Sequence, residues 1–104
     1  HSNFDMDIVW LEFKSNEGFP GWLYGTQDFI AFERPYGFIL VRTPDLLKLG
    51  KSLCNLGEKV AKSSEALYKG YTRKGRKDLL SIVSIKDVLT LPYKILHYET
   101  DKLI

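Results

Sequence analysis

The segment from Ile8 to Lys14 constrains the fold more than any other part of the chain, because it joins β-favouring apolar residues to a charged end. Side chains alternate between the two faces of a strand. Leu11 and Phe13 therefore share one face of this segment, and Glu12 and Lys14 share the other. We predict a half-buried strand that packs its apolar face on a core and presents a carboxylate beside a lysine on its open face.

The segments that follow carry strand, turn and helix signals. Two apolar runs, 29–33 and 38–42, flank an Arg-Pro-Tyr-Gly turn and predict a hairpin. A helix is predicted to begin at Thr43, because threonine caps helices, proline suits the first helical position and aspartate favours the helix N-terminus. Leucines at helical spacing extend this helix to Leu56. The other predicted elements are a short helix or turn (22–27), a resumed helix after Gly57 (58–66), an extended segment (68–72), a charged turn (73–78), a strand (79–85) and a short helix (85–91).

Length and composition set the class of protein. A chain of 104 residues is long enough for one compact domain, 1–104. The order of its elements predicts a small α+β (or α/β) domain with a mixed β-sheet flanked by helices. One cysteine, Cys54, excludes an internal disulfide, which fits a reducing, intracellular setting. No apolar run approaches the ~20 residues that a membrane span needs, so no membrane partner is expected.

Charge is distributed unevenly between the two parts of the chain. Residues 1–45 contain seven acidic and three basic residues, a net charge of −4, whereas residues 46–104 contain six acidic and twelve basic residues, a net charge of +6. An acidic part beside a basic part suits a metal site next to a polyanion. Random scatter of charges over a solvated surface is the alternative.

Glu12 and Lys14 are the candidate reactive pair. A carboxylate is a hard oxygen ligand that suits Mg²⁺ or Mn²⁺, and a nearby lysine can orient the attacking water and stabilise the charge that builds on a phosphate. Asp5 and Asp7 lie just upstream as candidates for a second metal-binding carboxylate, and Gln27 follows a glycine-bounded turn from which it could reach the site. An ordinary solvated Glu-Lys pair on an amphipathic strand is the alternative.

A second candidate site is a cluster of five basic residues within nine positions, with Tyr71 among them. Basic side chains at a turn can hold nucleic-acid phosphates, and tyrosine can stack on bases. A solubilising hairpin tip is the alternative. The five basic residues are Lys69, Arg73, Lys74, Arg76 and Lys77.

Four parts of the chain together resemble PD-(D/E)XK nucleases, the restriction-endonuclease-like superfamily. They are residues 10–14, residues 21–33, the strand at 38–41 with the helix after it, and the charged turn at 71–78. The resemblance covers most of residues 8–90 and is to small nuclease-like proteins of phages and bacteria. It implies a restriction-endonuclease-like core, metal-dependent hydrolysis of phosphodiesters, and a dimer or larger oligomer acting on DNA.

Carried over residue by residue, the resemblance makes Glu12 a metal ligand and Lys14 the catalytic lysine. The family's first aspartate normally lies on a neighbouring strand, behind at least one helix, whereas 11 residues precede Glu12 here. If residues 5–12 formed one extended strand, Asp5 and Glu12 would lie about 23 Å apart, too far to share an ion. Three explanations stay open: an N-terminally truncated chain, an aspartate supplied by a partner or another segment, or a degenerate site.

Residues and resemblance together predict a Mg²⁺-dependent or Mn²⁺-dependent DNA endonuclease in the bacterial or phage-infected cytoplasm, acting as a homo-oligomer. The alternatives are a non-catalytic nucleic-acid-binding module on the same fold and a protein-interaction domain with an aromatic surface. The predicted site has Glu12, Lys14, Asp7 and Gln27 as catalytic residues, Glu12, Asp7 and Asp5 as metal ligands, and the five basic residues as the contacts to DNA.

Overall fold

The fold is known from a computed structural model, which describes residues 7–98. Strands in two sheets and one main helix make up this part of the chain, so the predicted α+β class is confirmed. The strands are β1 (Ile8–Lys14), β2 (Phe29–Arg34), β3 (Gly37–Arg42), β4 (Asn55–Val60), β5 (Lys69–Tyr71), β6 (Leu79–Ser84) and β7 (Tyr93–His97), and the helices are α1 (Thr43–Leu53) and the single-turn α2 (Ile85–Val88), with 3₁₀ turns at Trp22–Tyr24 and Ser63–Glu65.

The first sheet has four strands in the order β1-β6-β5-β4. β1 runs antiparallel to β6 and places Glu12 opposite Leu80, and β4 runs parallel to β5, so this sheet is mixed as predicted. The register slips between Glu12 and Lys14, which leaves one extra residue on β1. A bulge of this kind bends the strand at the point where it leaves the sheet.

The second sheet has three antiparallel strands in the order β2-β3-β7. The predicted hairpin forms its first two strands, with Phe29 opposite Arg42 and Arg34 opposite Gly37. Gly37 has a φ of +148°, a backbone conformation that side chains rarely adopt. The hairpin belongs to its own sheet instead of extending the mixed sheet, and β7 pairs with β3 from a segment without a clear strand signal.

The main helix α1 begins at Thr43 as predicted, with Pro44 and Asp45 in its first turn. It ends at Leu53, so the predicted extension to Leu56 is wrong. The predicted helix over 58–66 is also wrong, because this region forms β4 and a 3₁₀ turn. Its backbone is held by parallel pairing with β5, a long-range contact that local residue spacing does not reveal.

Alternation along β1 places its apolar side chains in the core. Val9, Leu11 and Phe13 are 5%, 0% and 5% exposed, whereas Trp10 and Lys14 are exposed and Glu12 is half-buried. The predicted half-buried strand is thus confirmed. We call the side that carries Trp10 and Glu12 the outer face, and α1 packs against the opposite, inner face.

Gly50 brings α1 close to the inner face of β1. A Cβ at this position would lie 3.0 Å from Phe13 Cζ and 3.1 Å from Leu11 Cδ1. A contact this close leaves no room for a larger side chain, because a well-packed core resists extra volume.

We expect Gly50→Leu to lower the free energy of unfolding by at least about 1 kcal/mol, since overpacking typically costs ~1–3 kcal/mol and exceeds the gain in helix propensity. Ser52→Leu, at an exposed position of the same helix, gains propensity without overpacking and should not destabilise the fold. Urea denaturation of both variants measures the difference, and equal stabilities would contradict this view of α1.

Candidate functional site

The outer face of β1 carries Trp10 and Glu12, and the exposed Lys14 follows the bulge at the end of the strand. Residues directly opposite each other in an antiparallel pair project to the same face. Leu80 of β6, opposite Glu12, and Tyr71 of β5, opposite Leu80, therefore continue this surface across the sheet. Lys14 pairs with Leu79, whose side chain alternates with that of Leu80, so the register does not place Lys14 on the face of Glu12 as predicted. The bulge at Phe13 is the reason, because it interrupts the alternation along β1.

Backbone groups of the 3₁₀ turn hold Glu12 in place. The Trp22 backbone N–H donates to Glu12 Oε1 over 3.0 Å, and Gln27 Nε2 donates to the Trp22 carbonyl oxygen over 2.8 Å. The structure therefore connects Glu12 to Gln27 through the backbone of Trp22. A carboxylate that accepts a backbone N–H is oriented by it. Oε1 takes this bond, which leaves Oε2 as the Glu12 oxygen for a ligand.

Gly21 allows this turn to lie against β1. Its backbone N–H donates to the Phe13 carbonyl oxygen over 3.0 Å, and a Cβ at this position would overlap the carbonyl group of Glu12. The obstacle is backbone, which cannot move aside as a flexible side chain can. Glycine is therefore required for the hydrogen bond between Trp22 and Glu12.

The predicted second carboxylates do not join Glu12 in the described structure. Asp7 is exposed and precedes β1, where its carbonyl oxygen accepts a hydrogen bond from the Ile85 N–H over 2.8 Å. Five residues of extended chain separate Asp7 from Glu12 by about 17 Å, so the two do not share one ion. Asp5 lies outside the described residues. Across residues 7–98, no group of three His, Cys, Asp or Glu side chains is close enough to hold a metal ion.

The charged turn at 73–78, which we call the basic turn, lies beside the Lys14 end of β1. Arg76 Nε donates to Asn16 Oδ1 over 3.1 Å, and the Lys77 side chain lies against Gly18. Lys14 itself pairs with Leu79, the residue that follows the basic turn. The structure thus brings together the two constellations that the sequence analysis identified separately.

Asp78 organises the basic turn, and sequence reasoning missed it. Its side chain is only 5% exposed, accepts a hydrogen bond from Arg73 and lies 3.9 Å from Arg76 Nε. Burial of a carboxylate is costly unless a cation pairs with it, so both arginines help to hold the turn in shape. The sequence signal for this role of Asp78 is its position as the one acidic residue at the end of a run of basic residues.

Three of the five predicted phosphate contacts therefore have partners within the fold. Besides the two arginines, Lys69 Nζ lies 3.1 Å from Glu58 Oε2. Lys74 and Lys77 are exposed on the basic turn. These two lysines are the members of the predicted cluster best placed to meet a polyanion.

Two aromatic rings lie next to Glu12 on the outer face. The ring centroids of Trp10 and Tyr71 are 5.3 Å apart at an interplanar angle of 53°, and the Arg73 guanidinium lies 5.9 Å from the Tyr71 centroid. Trp10 keeps 37% of its surface exposed. A large indole at the surface of a small domain is a typical contact residue.

A groove of about 540 Å³ opens on the other side of Trp10. It runs between β1 and β2, which are the edge strands of their respective sheets. Its walls are mainly apolar and its polar groups lie at the ends. The lining includes Trp10, Trp22, Gln27, Phe29, Phe32 and Glu33.

The single cysteine plays no part in this surface. Cys54 is buried, and desolvation raises the pKa of its thiol above the ordinary value, although a hydrogen bond with Ser81 acts in the opposite direction. A thiol with a raised pKa remains protonated at neutral pH and is a poor nucleophile. Cys54 is therefore a core residue, which agrees with its position at the end of α1.

Comparisons of this chain with protein-family models, curated proteins and solved structures find no match. The resemblance to PD-(D/E)XK nucleases therefore stays a prediction. Within residues 7–98, no helix combines the length and apolarity needed to cross a membrane.

We expect Gly21→Ala to lower the free energy of unfolding by about 2 kcal/mol, because the new methyl group forces the turn away from β1 and breaks its hydrogen bonds. Gly57→Ala is the matched control, since a Cβ there meets only Asn55 Oδ1 at 3.4 Å and should change stability by no more than about 0.5 kcal/mol. Guanidinium denaturation compares the two. Equal effects would show that the close approach at Gly21 is not required.

Proposed function

We propose that this protein is a metal-dependent DNA endonuclease whose site is centred on Glu12 and Lys14. The observation that supports this function best is that Glu12 and the exposed Lys14 lie two residues apart at the end of β1, beside the basic turn. A carboxylate, an ammonium group and a set of basic side chains are thus close together at this end of the strand. In a metal-dependent nuclease they would serve as metal ligand, stabiliser of the phosphate charge and contacts to the DNA backbone.

Glu12 suits a divalent metal in part. Mg²⁺ usually retains several waters and is held by one or two carboxylates together with substrate phosphates. Glu12 would supply one carboxylate oxygen, and a second carboxylate would come from Asp5, which lies outside the described residues, or from another copy in an oligomer. When bound, the metal would supply Lewis-acid polarisation of the phosphate and lower the pKa of a water.

The chain's own side chains define the remaining roles. Lys14, two residues after Glu12, would place an ammonium against the phosphate oxygens, where negative charge builds during cleavage. Gln27 positions the Trp22 backbone that holds Glu12, so it would act as a positioning residue. The lysines of the basic turn would hold the DNA backbone on the far side of Lys14. Buried Cys54, with its protonated thiol, is compatible with the reducing cytoplasm that we propose as the location.

A non-catalytic DNA-binding module is the second candidate. The specific observation that favours it is the group formed by Trp10, Tyr71 and Arg73, because stacking and charge contacts bind nucleic acid without a metal. The two candidates differ in one requirement. Cleavage depends on Glu12 and a divalent ion, whereas binding alone depends on neither.

We expect Glu12→Gln and Lys14→Gln each to reduce Mg²⁺-dependent or Mn²⁺-dependent DNA cleavage by about 100-fold or more. Glutamine at position 12 can still accept the Trp22 N–H, so this variant tests charge instead of folding. Glu17→Gln, at an exposed position in the neighbouring loop, is the matched control and should retain full activity. Gel assays on single-stranded, nicked and duplex DNA measure cleavage.

Two results of that assay would reject the hypothesis that this protein cleaves DNA at Glu12. Wild-type protein that cleaves no form of DNA with either metal would leave only binding. Cleavage that persists in Glu12→Gln at the wild-type rate would assign the activity to another site or to a contaminant.

We expect the double variant Lys74→Gln/Lys77→Gln to bind DNA more weakly and to reduce the slope of log affinity against log salt by about 2, since each phosphate contact to duplex DNA contributes about 0.9. The control is Lys48→Gln/Lys94→Gln, which removes the same charge from exposed positions on α1 and β7. Fluorescence anisotropy with chelator present measures both slopes. Equal slopes for the two double variants would remove the basic turn from the interface.

A further inference from the structure

We infer that the substrate contains an unpaired nucleotide beside the scissile phosphate of the proposed site, and that its base stacks on Trp10. This inference rests on the proposed function and names the class of DNA, single-stranded or locally unpaired, that the site takes. Three features of the outer face carry it: a supported aromatic ring, its distance from Glu12, and space beside it.

The first feature is the support under Trp10. The indole packs against Tyr71 at 5.3 Å between centroids, and Arg73 lies over the Tyr71 ring. Trp10 is still 37% exposed. A ring held from one side and open on the other loses little conformational freedom when a base stacks on it. The Arg73 guanidinium, which pairs with Asp78, adds a cation–π contact that helps to hold the Tyr71 ring in place.

The second feature is distance. Trp10 and Glu12 project from the same face of β1 two residues apart, which corresponds to about 6.8 Å along the strand. A base stacked on Trp10 thus belongs to a nucleotide next to the phosphate at Glu12. Lys14 is exposed after the bulge, farther along β1 in the direction of the basic turn.

The third feature is the groove that Trp10 shares with Trp22 and Phe29. Its volume of about 540 Å³ and its apolar walls accommodate a planar base that has left its stack. Gln27 adds an amide at the wall, the kind of group that recognises the hydrogen-bonding edge of an exposed base. A base that remains paired inside a duplex presents no free face to the indole, so duplex DNA cannot use these contacts.

The experiment compares the affinities of the full chain for fluorescein-labelled dT12 and for a labelled 12-base-pair duplex, with chelator present to prevent cleavage. We expect Trp10→Leu to weaken binding of dT12 by about 5-fold or more and to change duplex binding by less than 2-fold. Trp10→Phe, which keeps an aromatic ring, should recover most of the loss. Tyr93→Leu, at an exposed aromatic position of β7, is the matched control and should leave both affinities unchanged.

A direct readout accompanies the affinities. In a Trp22→Phe background Trp10 is the remaining tryptophan, and dT12 should quench its fluorescence at saturation while the duplex does not. Equal losses on both DNAs in Trp10→Leu, or no quenching by dT12, would overturn the inference while leaving the proposed function intact. Failure of the wild type to bind either DNA would overturn both.

Discussion

β1 and β6 exchange backbone hydrogen bonds in antiparallel register, and this pairing decides which side chains enter the core and which reach the surface. Because side chains alternate, burial of Leu11 and Phe13 against α1 places Trp10 and Glu12 on the opposite face. The same register places the segment before β6, the basic turn, beside the end of β1. A slip of one residue would bury the charges and expose the core, so packing energy fixes the geometry of the candidate site.

The fold uses its charges in two different ways. Asp78 is buried and keeps Arg73 and Arg76 close to the protein, whereas Lys74 and Lys77 stay exposed on the same turn. The arginines thus give the turn its shape, and the lysines give it an outward positive charge. The basic residues look alike in the sequence, but the structure gives them two roles: the arginines stabilise the turn, and the lysines form its exposed surface.

Sequence patterns predicted the elements with strong local signals. The alternation of β1, the hairpin of β2 and β3, and the start of α1 at Thr43 follow from periodicity, turn residues and capping. Local spacing failed after Leu53, because Leu56 continues the helical pattern although parallel pairing with β5 fixes it in a strand. Pairing of distant strands, by its nature, leaves little trace in adjacent residues.

In the candidate site, too, the sequence predicted only the residues that a local pattern identifies. Glu12 and Lys14 were predicted because alternation along a strand places residues two apart on one face. The packing of Trp10 on Tyr71 was not found, because it depends on β6 lying between β1 and β5. Asp78 was hidden among basic residues, where a carboxylate normally signals a solvated surface. Across the described residues, no group of three potential metal-ligating side chains forms around Glu12.

The two edge strands that border the groove also affect how the free protein behaves at high concentration. An edge strand presents unpaired backbone groups that can pair with another chain, and natural proteins usually guard such edges with charges or proline. β2 has Glu33 and Arg34 at one end, but its first four residues, Phe29 to Phe32, are apolar. Edge-to-edge association of two copies through β2 would therefore block the groove. The colloidal stability of the protein would then depend on whether a ligand covers the β2 edge.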